Sequence, residues 1–463
     1  MNNSAPKSII IVGGGASATL LLAHLSQQLN VDIPVDIYIF DDRGAFNLGN
    51  AYQVKDPSFI LNVPANHMGA YCDRPDDFYQ WMLSFPDLWR NLHDDFKYIN
   101  YEPDDFVPRM IYGAYLGWIS DTSLLLAAQK NIQVHKITAK VTSIFHHKNK
   151  LVVNTDAQEF LPADTVILAT GNSTPACEPR GPQVFSSPYD HNFVRQDWKK
   201  IKDLIIVGSG LSMVDAVQYL AQQNYQGCIQ VFSRHGLLPM PHCDAEQSPL
   251  VPFLFSNLSS ARDIIRCVRE YIKNNSSQGI EWQTTLNSLR HAVNPAWLGL
   301  PPHERKKLRR IMPWWNVARH RIPKEAHNML ARLQHEKRLI IRRGHVTKIT
   351  SESNYLCLKI DGIDTRVEGA RLVVCSGYTY TFEKTQELCG KLLDKIPPAI
   401  NLQDFKLSPH YSLYAIGPAL GNLLFETTAI REIRLQSERI AAHLSYELHA
   451  SGEKASVKTL SSL

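Results

Sequence analysis

The sequence predicts an α/β protein built from two copies of one plan: a strand, a glycine turn and a helix, followed by a short antiparallel meander. Three observations carry this expectation. An apolar run at residues 9–12 meets Gly13, Gly14 and Gly15 and then a leucine-rich stretch with helical patterning. The same order recurs at residues 203–207, with Gly208 and Gly210 opening a second apolar helix. Each copy then closes on a strand that ends in small residues and a glycine, Gly171 in the first and Gly377 in the second.

The chain has 463 residues, 44% of them hydrophobic and 20% charged, which is enough for two or three domains with sizeable cores. Its eight cysteines are scattered and form no C-x-x-C pair, a pattern of reduced core thiols that argues against dithiol–disulfide chemistry. Three glycines interrupt the first apolar run, so it does not read as a secretory signal, and no other stretch reaches membrane-spanning length. A cytoplasmic location is expected. The net charge of +5 is modest and does not by itself imply nucleic acid.

In the first copy Gly13 permits the tight turn, Gly15 lets the backbone approach a pyrophosphate, and the small Ala18 lets helix and strand pack closely. A helix is expected over residues 19–29 and a second strand over 35–40. That strand ends at Asp41, about 20 residues past the turn, where a carboxylate accepts from ribose hydroxyls. The ribose role is favoured because the glycine turn is present; the alternative is that the aspartate only caps a loop. Residues 47–71 are irregular and could wall a cofactor ring or serve as a packed connector; for His67 alone the connector is the better reading. Arg109 opens a helix through Trp118, as an anion partner or as a solvated first-turn charge. Strands at 137–145, 151–155 and 164–169 lead to Thr170 and Gly171, where the glycine is expected to bring backbone close to something bulky.

In the second copy the turn residues are Gly208, Gly210 and Ser212. The following strand, residues 229–232, ends not in an acid but in Ser233, Arg234 and His235. Arg234 suits a 2′-phosphate and Ser233 adds a donor, which favours NADP over NAD. An insertion at about 238–339 is mostly helical in pattern. Its basic run at 303–310 leads into Trp314, Trp315, Arg319 and Arg321. A solvated helix face over a tryptophan core outweighs nucleic-acid binding there; a middle reading has these arginines close over a nicotinamide dinucleotide or an acidic substrate. Strands at 346–351, 355–360 and 365–367 form the second meander, closing through 372–374 on Gly377. The last segment is a short strand and turn around Gly417, with Thr427 or Thr428 capping a helix to about Leu448. The polar tail is expected to be disordered.

Two copies of a dinucleotide-binding plan lead to a flavin-plus-nicotinamide arrangement: two Rossmann-like domains, for FAD and NAD(P), with β-meanders and a helical insertion. Residues 1–185 and 372–450 are expected to form the FAD-binding domain, 186–371 the NAD(P)-binding domain, and 451–463 a flexible tail.

Several motifs support this at finer grain: residues 11–15, 61–65, 106–109, 208–215, 319–322 and 426–434. Through them the chain resembles, over nearly its full length, a poorly characterised bacterial FAD/NAD(P)-binding protein family. That family is itself similar to flavin-dependent N-hydroxylating and class B monooxygenases. The resemblance implies an FAD domain made from both chain ends with the nicotinamide domain inserted between them. The FAD set is then Gly13, Gly15, Ala18, Asp41, Asn62, Thr170, Gly171, Gly417, Thr427 and Thr428. The NADP set is Gly208, Gly210, Ser212, Ser233, Arg234 and Gly377. Pro418 stands where many such flavoproteins have an aspartate contacting the ribityl chain. The implied activity is an FAD-dependent oxidoreductase taking hydride from NADPH, with either oxygen activation to hydroxylate a small molecule or onward hydride transfer. A flavin- or nucleotide-bound sensor or interaction protein without substrate turnover is the alternative from another class. No side chain is singled out as a general acid or base.

Overall fold

The computed structural model describes residues 6–29, 33–172, 181–243, 250, 253, 255, 258–352, 355–378, 382–393 and 400–460. The chain divides into two compact units, one of residues 1–55, 64–173 and 380–463, the other of residues 56–63 and 174–379.

The strands in chain order are β1 Lys7–Val12, β2 Val35–Asp41, β3 Ile132–Thr138, β4 Val141–His147, β5 Lys150–Thr155, β6 Phe160–Ala163, β7 Thr165–Leu168 and β8 Val184–Phe185. They continue as β9 Asp203–Val207, β10 Cys228–Ser233, β11 Leu339–Arg343, β12 Val346–Glu352, β13 Tyr355–Ile360, β14 Ile363–Glu368, β15 Arg371–Val374 and β16 Leu413–Ala415.

The first unit holds a parallel sheet of order β16-β7-β1-β2-β3 and an antiparallel meander β4-β5-β6. The second holds a parallel sheet of order β11-β10-β9-β15-β8 and the meander β12-β13-β14. The two sheets match in four neighbouring positions: β7, β1, β2 and β3 correspond to β15, β9, β10 and β11. Central strands flanked on both faces must be apolar along their length. Ile9, Ile10 and Ile11 of β1 and Leu204, Ile205 and Ile206 of β9 are accordingly at most 1% exposed.

The structure corrects several expectations. Residues 137–145 are not one strand: β3 ends at Thr138 inside the parallel sheet and β4 opens the meander at Val141. The apolar alternation runs through both, and only strand pairing separates them. The first helix spans Ala16–Gln28, and the one opened by Arg109 runs to Gln129, well past Trp118. Both boundaries of the inserted unit move, from 186 to 174 and from 371 to 379, because β15 pairs with β9 on one side and with β8 on the other. Residues 56–63 leave the first unit, since Phe59 packs on Tyr219 (centroids 5.5 Å apart) and Asn62 O receives a hydrogen bond from His242. The C-terminal helix begins at Ile430, so Ala429, not Thr427 or Thr428, is the residue before it. Its backbone stays helical to Leu460 instead of ending near Leu448.

Candidate dinucleotide sites

In the first unit β1 delivers Gly13 at φ +110°, and a Cβ there would lie 2.2 Å from Ala169 O. Gly13 N donates to Phe40 O at 2.8 Å and Ala169 N to Val12 O at 2.8 Å, locking the ends of three neighbouring strands around the turn. Gly15 then caps the helix at φ −82°, ψ −163°, with no side-chain cap and no acid in the first turn. The opening N–H groups and the positive dipole end are therefore left for an anion. Ala18 is 1% exposed, the close-packing position its size implied.

The second unit repeats this geometry closely. Gly208 has φ +105° and a Cβ there would lie 2.1 Å from Cys375 O. Gly208 N donates to Phe232 O at 2.8 Å and Cys375 N to Val207 O at 2.7 Å. Gly210 caps the helix Leu211–Gln222 at φ −86°, ψ −162°, again with no side-chain cap and no acidic first turn. A Cβ on Gly210 meets nothing within 4 Å, so the space before this helix is open. Ser212, Gly377, Cys375 and Tyr378 line a small pocket with Ser186 and Ser187, bringing two of the expected residues together. Tyr189 Oη donates to Asp215 Oδ2 at 2.5 Å, tying the segment after Ser187 to the same helix.

Gly171 (φ +68°) and Gly377 (φ +78°) are paired as well, but a Cβ on either meets nothing within 4 Å. They serve backbone conformation, not close approach to protein. The close approach belongs to Gly13 and Gly208. Thr170 is exposed beside Gly171.

Asp41 is 8% exposed at the end of β2. Its Oδ2 accepts from Gly14 N at 3.3 Å, and its Oδ1 accepts from Arg43 N at 3.0 Å and Ala45 N at 3.1 Å. A carboxylate has about four acceptor positions, so this one already shapes the loop and keeps little capacity for a ribose. Residues that sequence reasoning missed complete the turn. Gly14 O accepts from Asn47 N at 2.7 Å, and a Cβ on Gly15 would lie 3.3 Å from Gly49 Cα. Their signal was positive φ, Asn47 at +79° and Gly49 at +62°, carried by residue types that tolerate it.

Gly417, at φ +63°, sits over this helix; a Cβ there would lie 2.6 Å from Ser17 Oγ. Its N–H donates to the buried Gln436 Oε1 at 2.7 Å. Arg434 donates to Gly69 O at 3.0 Å, joining the irregular loop to the C-terminal helix. Thr427 is buried and Thr428 exposed. Arg109 is 7% exposed, so it is not a solvated charge. Asn62, expected with the FAD set, groups with the second unit through His242.

At the end of β10, Ser233 Oγ accepts from Gly236 N at 3.0 Å and lies 2.9 Å from Ser209 Oγ. Ser209 lies 2.5 Å from Leu237 O, which only accepts, so Ser209 donates there and Ser233 donates to Ser209. The serine's proton is thus engaged in holding the turn. Arg234 is exposed and makes no hydrogen bond or ion pair among the described residues. The basic run of the insertion folds onto its own core: Arg305 donates to Leu298 O and Leu300 O at 2.7 and 2.8 Å, and Arg309 lies over the buried Trp297 at 5.3 Å. Arg321 is 3% exposed and donates to Gln283 Oε1 and Asn287 Oδ1, both at 2.5 Å.

These features define a protein of two Rossmann-like folds, each with a dinucleotide-type turn. Residues 10–173 match the model of a family described as FAD-NAD(P)-binding. Among solved structures, the chain is similar to the ornithine N-hydroxylase of Kutzneria sp. 744 with reduced FAD, NADP+ and L-ornithine (13% identity, TM-score 0.60, covering 96% of this chain and 100% of that one). The reduced ornithine hydroxylase of Pseudomonas aeruginosa gives 15% identity and TM-score 0.60, over 96% and 100%. The bacillithiol disulfide reductase of Staphylococcus aureus gives 13% and 0.51, over 96% and 99%. A search of curated proteins finds no match. Among the described residues no helix is long and apolar enough to cross a membrane.

Proposed function

We propose that this protein is an FAD- and NADPH-dependent oxidoreductase of the monooxygenase type, acting on a small molecule in the cytoplasm. The observation that carries the reading is the paired turn: Gly13 with Gly15, and Gly208 with Gly210, each ending at a helix N-terminus that no side chain caps. Both turns fit a pyrophosphate, which needs close backbone approach and unpaired N–H donors. When bound, NADPH supplies a hydride and FAD accepts it and passes the electrons on.

The chain's own residues bind and orient. The first turn, Gly13 to Ala18, would hold the FAD pyrophosphate, with Gly417 packed over Ser17 and Asp41 fixing the loop that follows β2. The second turn and Ser212 would hold the NADPH pyrophosphate, and Arg234 the 2′-phosphate, which a guanidinium grips through paired charge-assisted bonds.

Three of the described cysteines are poorly suited to thiol-based reduction. Burial pushes the Cys72 and Cys389 thiols up to about 12 and the Cys375 thiol well above its ordinary value. A reactive thiol needs the opposite shift. The reading is tested by loading the protein with FAD and following NADPH oxidation alongside oxygen uptake. Consumption of both is expected; an FAD-loaded protein that oxidises no NADPH overturns it.

A further inference from the structure

The exposed edge of the second unit carries more than Arg234. Ser233, the last residue of β10, stands in register with Arg343, the last residue of β11. Arg343 is exposed and, like Arg234, makes no hydrogen bond or ion pair among the described residues. A Cβ on Gly236 would lie 3.8 Å from Arg343 Cβ, so the turn that presents Arg234 passes directly over it. Gly344 N donates to Ser233 O at 2.9 Å, which fixes the two strand ends together.

The helical insertion reaches the same place. Trp314 on the helix Met312–Arg319 is 52% exposed, and its ring lies 5.2 Å from that of His235 at 44°. This placement is held by backbone. Met240 N donates to Val317 O at 3.0 Å, and Pro241 and Ile322 form a parallel bridge, so the chain leaving β10 runs along the helix that bears Trp314. A tryptophan half open to solvent on an otherwise basic edge is an unused stacking face.

We propose that Arg343 and Trp314 complete, with Arg234 and His235, a subsite for an adenosine bearing a 2′-phosphate. The two guanidiniums would share the phosphate and the indole would take the adenine face. A phosphate dianion has acceptors for two forks, and bases stack on aromatic rings irrespective of sequence. This gives the insertion a role in coenzyme binding, and it rests on the reading of the second unit as the NADPH site.

Isothermal titration of the FAD-loaded protein with 2′,5′-ADP and with 5′-AMP tests it without turnover. Arg343→Ala should weaken 2′,5′-ADP about ten-fold or more and leave 5′-AMP unchanged. Trp314→Ala should weaken both probes to a similar degree, and Trp314→Phe should restore most of the loss. Because both side chains are exposed, unchanged melting temperatures are expected to accompany these losses. If the parent protein binds 2′,5′-ADP and both alanine variants bind it equally well, the subsite is wrong while the NADPH reading stands. If the parent binds neither probe, both fall.

Discussion

A Cβ built on Gly13 would lie 2.2 Å from the carbonyl oxygen of Ala169, whereas one built on Gly171, two residues further on, meets nothing within 4 Å. Gly13, in the turn after β1, and Gly171, just past the end of the neighbouring β7, are thus required for different reasons. Gly13→Ala combines a positive φ with a backbone collision, about 1–2 kcal/mol for the first and about 1–3 for the second. Gly171→Ala carries only the first. Urea denaturation of the two variants should therefore show a clearly larger loss for Gly13→Ala. Equal losses would mean that the strand end gives way freely and that the turn is not the fixed frame described above.

The cofactor of the first unit is expected to be FAD, not FMN, because a mononucleotide has no pyrophosphate to fill the uncapped turn at Gly15. Refolded or apo protein offered both flavins should retain FAD on desalting. Gly15→Val places atoms where the phosphates would lie and also presses on Gly49 Cα, 3.3 Å from its Cβ, so its circular dichroism must be compared with the parent. A folded Gly15→Val protein with full FAD content contradicts the assignment.

The proposed preference for NADPH depends on Arg234 together with Arg343, since Ser233 is already engaged within the turn. Charge-assisted contacts to a 2′-phosphate are worth about 1.5–3 kcal/mol, so NADPH should be preferred over NADH by roughly ten- to a hundred-fold. In Arg234→Ala that preference should collapse through weaker NADPH binding, read from the concentration dependence of flavin reduction. An undiminished preference places the phosphate elsewhere.

His242 gives the second unit an acid-sensitive point. Its Nε2 lies 3.1 Å from Asn62 O, and burial, with the charges of Arg321, Arg290 and Arg319, lowers its pKa from 6.5 to about 4. The unfolded chain therefore binds the proton first. Stability associated with the neutral ring is complete above about 6.5 and is lost as the pH falls toward about 4. At 1.36 kcal/mol per unit the whole window is worth roughly 3 kcal/mol. His242→Gln should be less stable than the parent at neutral pH, with the gap narrowing as the pH falls through that window. A gap independent of pH would show that the ring's charge state does not matter to the fold.

Much of this was legible in the sequence because the turns are local. Gly13, Gly15, Gly208 and Gly210 each follow an apolar strand, and their positive φ or cap geometry depends on a few neighbouring residues. What depended on pairing was not legible. Residues 137–145 alternate like one strand, yet only the partner of each half, β2 for β3 and β5 for β4, divides them. Arg343 was missed because its place beside Ser233 comes from strand register across the whole insertion. Asn47 and Gly49 lay in a loop whose fold over Gly14 and Gly15 leaves only positive φ as a trace. Ser233 was read as a free donor because a hydroxyl's partners cannot be seen along the chain.

The central claim is that one chain holds a flavin that NADPH can reduce. Anaerobic mixing of the FAD-loaded protein with NADPH, followed by absorbance, tests it in a single half-reaction. The oxidised flavin bands should bleach, and they should do so faster at a given concentration of NADPH than of NADH. A bound flavin that keeps its oxidised spectrum in excess NADPH would contradict the account and leave a nucleotide-binding protein without turnover in its place.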